Sequence, residues 1–183
     1  EEKGIYSIEK FLIARRIMYW QVYLHKTVVS AENILINTLK RAKELMTNKK
    51  EVYTTPALKI FLYKNLTKKD IINNETLLNN FSMIDDNDIY TCLKYWSNSN
   101  DFILSKLSKM ILNRKLLKIE VKDTPFKITK KEKIKEKVKN KYKITDNEAN
   151  YIVFDNKVSN HIYNIKESGV NILTKKGEVI DIT

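Results

Sequence analysis

Three glycines and two prolines in 183 residues leave no glycine-rich phosphate loop, and neither a Walker motif nor a dinucleotide fingerprint is present. One cysteine, Cys92, excludes an internal disulfide and fits a reducing compartment, so a cytoplasmic location is expected. No apolar run reaches about eighteen residues, so no membrane span is expected. The opening EEKG is acidic and polar, unlike a signal peptide, and the chain starts without methionine, as a fragment would. Histidine is scarce too. His25 and His161 lie far apart, no His-Asp dipeptide occurs, and a metal site made from these residues alone is not expected.

Charge of one sign is abundant. The net charge is +12, and residues 127–143 carry nine lysines against two glutamates. The excess is lysine with no interleaved aromatic platform, which predicts a solvated lysine-rich helix with polyanion attraction as a consequence.

The chain is organised around residues 7–48, which contain neither proline nor glycine. Ser7 reads as a start and Asn48 as an end, and one unbroken helix would run about 60 Å. At helical spacing, Ile13, Ile17, Trp20, Leu24, Val28, Ala31, Leu35, Leu39, Ala42 and Met46 form an apolar stripe. Another face carries Arg15, Tyr19, Tyr23 and Lys26 at steps of four, four and three. A guanidinium, two phenols and an ammonium in a row suit a phosphate chain with a sugar or base. The same row is also a half-exposed helix face with cation–π contacts.

Downstream, Pro56 suits the first turn of a helix, and residues 66–83 read as one or two short helices. Asp85, Asp86 and Asp88 suggest a metal cluster, but the glycine and closing glutamate of a calcium loop are missing. They are expected instead to cap the helix that follows. A further helix is expected over residues 101–117, with Cys92 as a small core residue in the helix before it. Residues 118–123 alternate as a strand would, and residues 129–142 read as the lysine-rich helix. Thr145 and Glu148 form a capping box. Residues 151–155 read as a strand, and 171–183 as a hairpin turning at Lys176-Gly177. The expected architecture is mainly α: a helical body, residues 1–117, built on one long N-terminal helix, with a smaller α+β tail, residues 118–183.

ARRIMYWQVYLHKTV, ILNRKLLKIEV and VSNHIYN…VNILTKKGEVIDI together resemble bacterial HD-superfamily phosphohydrolases. These are the relatives of deoxynucleoside-triphosphate triphosphohydrolases and of the SAM-and-HD-domain dNTPase. The resemblance runs over the whole chain but matches only the C-terminal part of such a protein. It implies that Arg15 contacts the substrate triphosphate and Tyr23 the sugar, with Tyr19 between them. Leu24 stands where the dNTPase has a base-reading glutamine, so base choice does not carry over. His25 and Lys26, with Arg114 and Lys118, match contacts to an allosteric nucleotide; Arg114 and Lys118 are equally explained as cations at a helix C-terminus. The family's divalent metal is held by a His-Asp motif absent from this chain, so no catalytic or metal-ligating residue is expected here. The expected partners are the N-terminal HD portion of the same protein, a nucleotide substrate of the dNTP class, and further copies in a homo-oligomer. The competing function class is a non-catalytic nucleotide- or nucleic-acid-binding regulatory module.

Overall fold

The computed structural model describes residues 2–122, 124–156 and 171–181, and among these the chain is mainly helical. Its helices are α1 (Glu2–Met18), α2 (Lys26–Thr47), α3 (Pro56–Tyr63), α4 (Lys68–Ile72), α5 (Glu75–Ser82), α6 (Asp86–Trp96), α7 (Phe102–Leu112), α8 (Ile128–Tyr142) and α9 (Asp146–Ala149). The strands β1 (Asn171–Leu173) and β2 (Val179–Asp181) pair antiparallel, Ile172 opposite Ile180. No described helix is long and apolar enough to cross a membrane.

The expected single N-terminal helix is interrupted. A π-helical turn, Tyr19–Tyr23, follows α1, and Leu24 and His25 separate it from α2. The Leu24 amide donates to the Tyr19 carbonyl at 2.8 Å, five residues back. A π turn takes more residues per turn than an α-helix, so one continuous α-helical phase does not run through it. The predicted stripe is packed in the core only within α2, where Ala42 and Met46 are buried and Leu35 and Leu39 lie against them. Ile13 and Trp20 are 58% and 59% exposed, whereas Ile34, off that stripe, is fully buried.

Lys26–Phe154 is one compact unit. Its core joins Ala42, Leu45 and Met46 of α2 to Leu58 and Leu62 of α3, Cys92, Leu93 and Trp96 of α6, and Leu104 of α7. A second cluster sets Ile34 against Ile103 and Leu107, with Leu116, Leu117, Tyr151 and Ile152 packed on it. Local chemistry explains where these helices begin. Pro56 occupies the first turn of α3, where its missing N–H costs nothing. Asp85 accepts from the amides of Asn87 and Asp88 while Asp88 accepts from the Asp85 amide, so the aspartates cap α6. Thr145 and Glu148 form the expected capping box of α9. Lys43 donates to the carbonyls of Phe61 and Lys64 at 3.2 and 2.9 Å, satisfying acceptors at the end of α3.

Two expected strands are absent. Residues 118–122 form no ladder, and Asp123 lies outside the described residues. Residues 151–155 do not form one either, because their backbone groups are already engaged. The amides of Tyr151, Ile152 and Val153 donate back to Glu148 and Ala149, and the Tyr151 carbonyl accepts from Asn37 Nδ2 at 3.0 Å. The helix expected over residues 101–117 stops at Leu112, where Arg114 adopts a left-handed conformation (φ 53°) and the Lys115 amide closes on Met110.

The other unit consists of the flanking segments, up to His25 and from Asp155. Its hairpin turns as expected: Gly177, at φ 82°, donates to the Thr174 carbonyl at 3.0 Å.

Candidate functional site

Arg15 lies in the last turn of α1 and is half-buried, where a cation also complements the helix dipole. One turn later the π segment carries Tyr19 and Tyr23. Their ring centroids are 4.9 Å apart with planes inclined at 50°, so the structure brings the two phenols together. The π turn falls on the tyrosines that the resemblance selects, and such turns are often found at functional sites. Tyr19 is half-buried and Tyr23 exposed, giving a ledge of two aromatic faces with a guanidinium one turn away. Such a ledge can pair with a phosphate at one end and pack a sugar or base at the other. Leu24, expected in the core, is half-buried at the end of the π turn.

The second set of residues is divided. His25 ends the first unit, whereas Lys26, Arg114 and Lys118 belong to the compact unit. Within that unit, Ser30 Oγ donates to the Leu117 carbonyl at 2.8 Å. This bond ties the first turns of α2, where Lys26 sits, to the segment that carries Lys118. Arg114 lies two residues past the end of α7, so it is not a cation of that helix's last turn.

His161 lies outside the described residues. Among the described residues, no group of three or more histidine, cysteine, aspartate or glutamate side chains is placed to hold a metal. The described residues do not fit a divalent ion.

Sequence reading missed a polar cluster at the junction of α2, α7 and α9. Arg41 grips Asp101 through two bonds, Nε to Oδ1 at 3.1 Å and Nη2 to Oδ2 at 2.6 Å. Asp101 also caps α7 by accepting from the Leu104 amide at 2.9 Å. Arg41 Nη1 reaches Glu44 at 2.7 Å, and the Tyr151 hydroxyl donates to the same Glu44 oxygen at 2.7 Å. Hydrogen bonding to Asp101 raises the already high Arg41 value. Burial alone would raise the Asp101 carboxyl, but the bonds from Arg41 and the Leu104 amide hold it below the usual range. Burial, then the bond to Glu44, pushes the Tyr151 phenol up to about 12. The cluster joins α2 to the start of α7 and to Tyr151 just past α9, a structural role.

No family model matches the sequence. Over its whole length, however, the chain is similar to a phosphohydrolase of known crystal structure from Bacteroides thetaiotaomicron, with 43% identity and a TM-score of 0.85. It carries part of a phosphohydrolase-like fold. It is also 32% identical over 116 residues to YwfO, an uncharacterized protein of Bacillus subtilis, a match spanning 63% of this chain. The chain covers 45% of the Bacteroides phosphohydrolase, and the YwfO match covers 25% of that protein, so it spans less than half the length of either relative.

Proposed function

We propose that this chain is the C-terminal part of a metal-dependent HD-domain phosphohydrolase acting on nucleotides, most directly deoxynucleoside triphosphates. The observation that carries the reading is the whole-chain likeness to a phosphohydrolase at 43% identity. In this reading Arg15 neutralises phosphate charge, while Tyr19 and Tyr23 pack against the sugar or base. The described residues offer no metal-donor group. The divalent ion's ligands therefore belong to the N-terminal HD portion of the same protein, and this chain's part is binding and orientation.

The surface of α1 supports such a partner. Ile5, Phe11, Ile13 and Ile17 are each at least 47% exposed and lie around several sides of one helix. A helix that is apolar on several sides is normally covered. The same family likeness proposes a homo-oligomer and a regulatory nucleotide held by His25, Lys26, Arg114 and Lys118. The Ser30–Leu117 bond supports the part of that set on α2 and the 117–118 segment.

The test is steady-state kinetics of the intact protein and of Arg15→Ala and Tyr23→Ala on each dNTP with added divalent metal. Arg15→Ala is expected to lower kcat/KM by about 10²–10³ with an unchanged Tm, the scale for losing one preorganised charge-stabilising donor. Unaltered kinetics in a folded Arg15→Ala protein would remove Arg15 from the site. Nucleotide binding without turnover in the wild type would favour the regulatory-module reading.

A further inference from the structure

Helix α8 has two sides with different roles. Its half-buried positions, Lys131, Lys135, Val138, Lys139 and Tyr142, follow helical spacing and form the side that packs. Tyr142 meets Phe102 of α7 at 5.6 Å between ring centroids. Two of the lysines on that side are matched by acids: Lys135 and Lys139 both pair with Asp146, and Lys139 also reaches Glu136 at 2.8 Å. Lys135 and Lys139 are therefore structural.

The opposite side is not matched in the same way. Lys130, Lys133, Lys137 and Lys141 fall within about 80° of arc at about 100° per residue. Lys130 pairs with Glu120 at 2.6 Å, and Lys141 lies 5.4 Å from the Tyr142 ring centroid. Lys133 and Lys137 are exposed and make no ion pair among the described residues. Together with Lys130, Thr129 and Ile134 they line a shallow depression of about 260 Å³. Glu132 and Glu136 fall to the flank, beside the Lys139 row.

We infer that this lysine row of α8 is a binding surface for the phosphate backbone of single-stranded nucleic acid. From Lys130 to Lys141 the row extends about 16 Å at about 1.5 Å per residue. Phosphates lie about 3.4 Å apart along the axis of a duplex strand and farther apart on an extended single strand, so that reach covers at most about five of them. The row has no aromatic side chain on which bases could stack, so it reads no sequence and its affinity is electrostatic. An anionic membrane surface fits less well. Insertion needs a broad apolar face, and here the side of α8 away from the lysines is already packed against the fold.

The test is fluorescence anisotropy of a fluorescein-labelled oligo-dT 20-mer titrated with the intact protein over a salt series. Three or four engaged phosphates predict a log–log salt slope of about −2 to −3, at about 0.7 per phosphate on a single strand. Affinity should therefore fall about 15- to 60-fold between 50 and 200 mM salt. Lys133→Glu/Lys137→Glu is expected to weaken binding at least tenfold, with dNTP turnover unchanged. The single variants Lys133→Gln and Lys137→Gln, mild changes at exposed positions, should each flatten the slope by about 0.7. Lys68→Glu/Lys69→Glu on α4 makes the same change in net charge elsewhere and should leave binding within a factor of about two. An equal loss in the α4 variant would mean diffuse attraction by net charge, and the proposal fails. Failure also follows if the oligonucleotide does not bind at 50 mM salt, or if Arg15→Ala abolishes binding while the α8 variants do not. Binding of phosphatidylserine vesicles but not of the oligonucleotide would reassign the surface to a membrane.

Discussion

Removing Asp101 should expose how strongly the Arg41 cluster holds the compact unit together. Arg41 and Asp101 are each only 12% exposed and are joined by two bonds of 3.1 and 2.6 Å. Breaking one partner out of a buried pair costs about 3–5 kcal/mol, because the remaining charge stays desolvated. Arg41 keeps Glu44 at 2.7 Å, which brings Asp101→Asn to the low end, about 3 kcal/mol. Asparagine still caps α7, whereas Asp101→Ala should lose about 1 kcal/mol more with the bond to the Leu104 amide. For a chain of this size each kcal/mol moves Tm by about 2–4 °C, so Asp101→Asn should lower it by about 6–12 °C. Urea unfolding followed by circular dichroism, with Arg41→Met and the double variant, completes the cycle. An Asp101→Asn protein within about 0.5 kcal/mol of wild type, the usual range for an unimportant surface change, would refute the reasoning. The pair also has a pH signature. Its folded carboxyl sits below the unfolded value of about 3.9. The contribution is therefore complete above about pH 4 and fades as pH falls through the folded value.

Three other outcomes follow from buried groups. The Tyr151 phenol is raised to about 12 from an unfolded value of 10.0, so its contribution is full below pH 10 and is lost on rising toward pH 12. Tyr151→Phe should abolish that alkaline step in a Tm-against-pH series. Cys92 is fully buried, and desolvation raises its thiol, so it should ignore a thiol reagent until the protein unfolds; fast labelling of the native protein would contradict its place in the core. Ser108 is fully buried with no hydrogen-bond partner for its hydroxyl among the described residues. Ser108→Ala should therefore stabilise the protein by about 1 kcal/mol in urea unfolding.

Local signals in the sequence located most elements of the compact unit. Pro56, the Asp85 cap, the Thr145 capping box and, in the other unit, the Lys176-Gly177 turn each act within a few residues of chain, and each is found where the sequence places it. Signals that depend on distant partners were not legible. Residues 151–155 alternate like a strand, yet the amides of Tyr151, Ile152 and Val153 are taken up by α9 and the Tyr151 carbonyl by Asn37, 114 positions away in the chain. The Arg41–Asp101 bond spans sixty positions, and no periodicity relates them. The π turn is the clearest case. No proline or glycine marks it, yet it interrupts the helix and draws Tyr19 and Tyr23 together. The row containing Arg15, Tyr19 and Tyr23 was visible at α-helical spacing because steps of four keep one face in either helix. Lys26 was counted in the same row, but it lies across the break, in the other unit.

The most direct test of the central claim is release of phosphate or tripolyphosphate from each dNTP by the intact protein, with added magnesium or manganese and again with chelator. The expected result is metal-dependent release that the chelator abolishes and that Arg15→Ala cuts by about 10²–10³. A folded, metal-supplemented protein that releases nothing from any of the four dNTPs would contradict it.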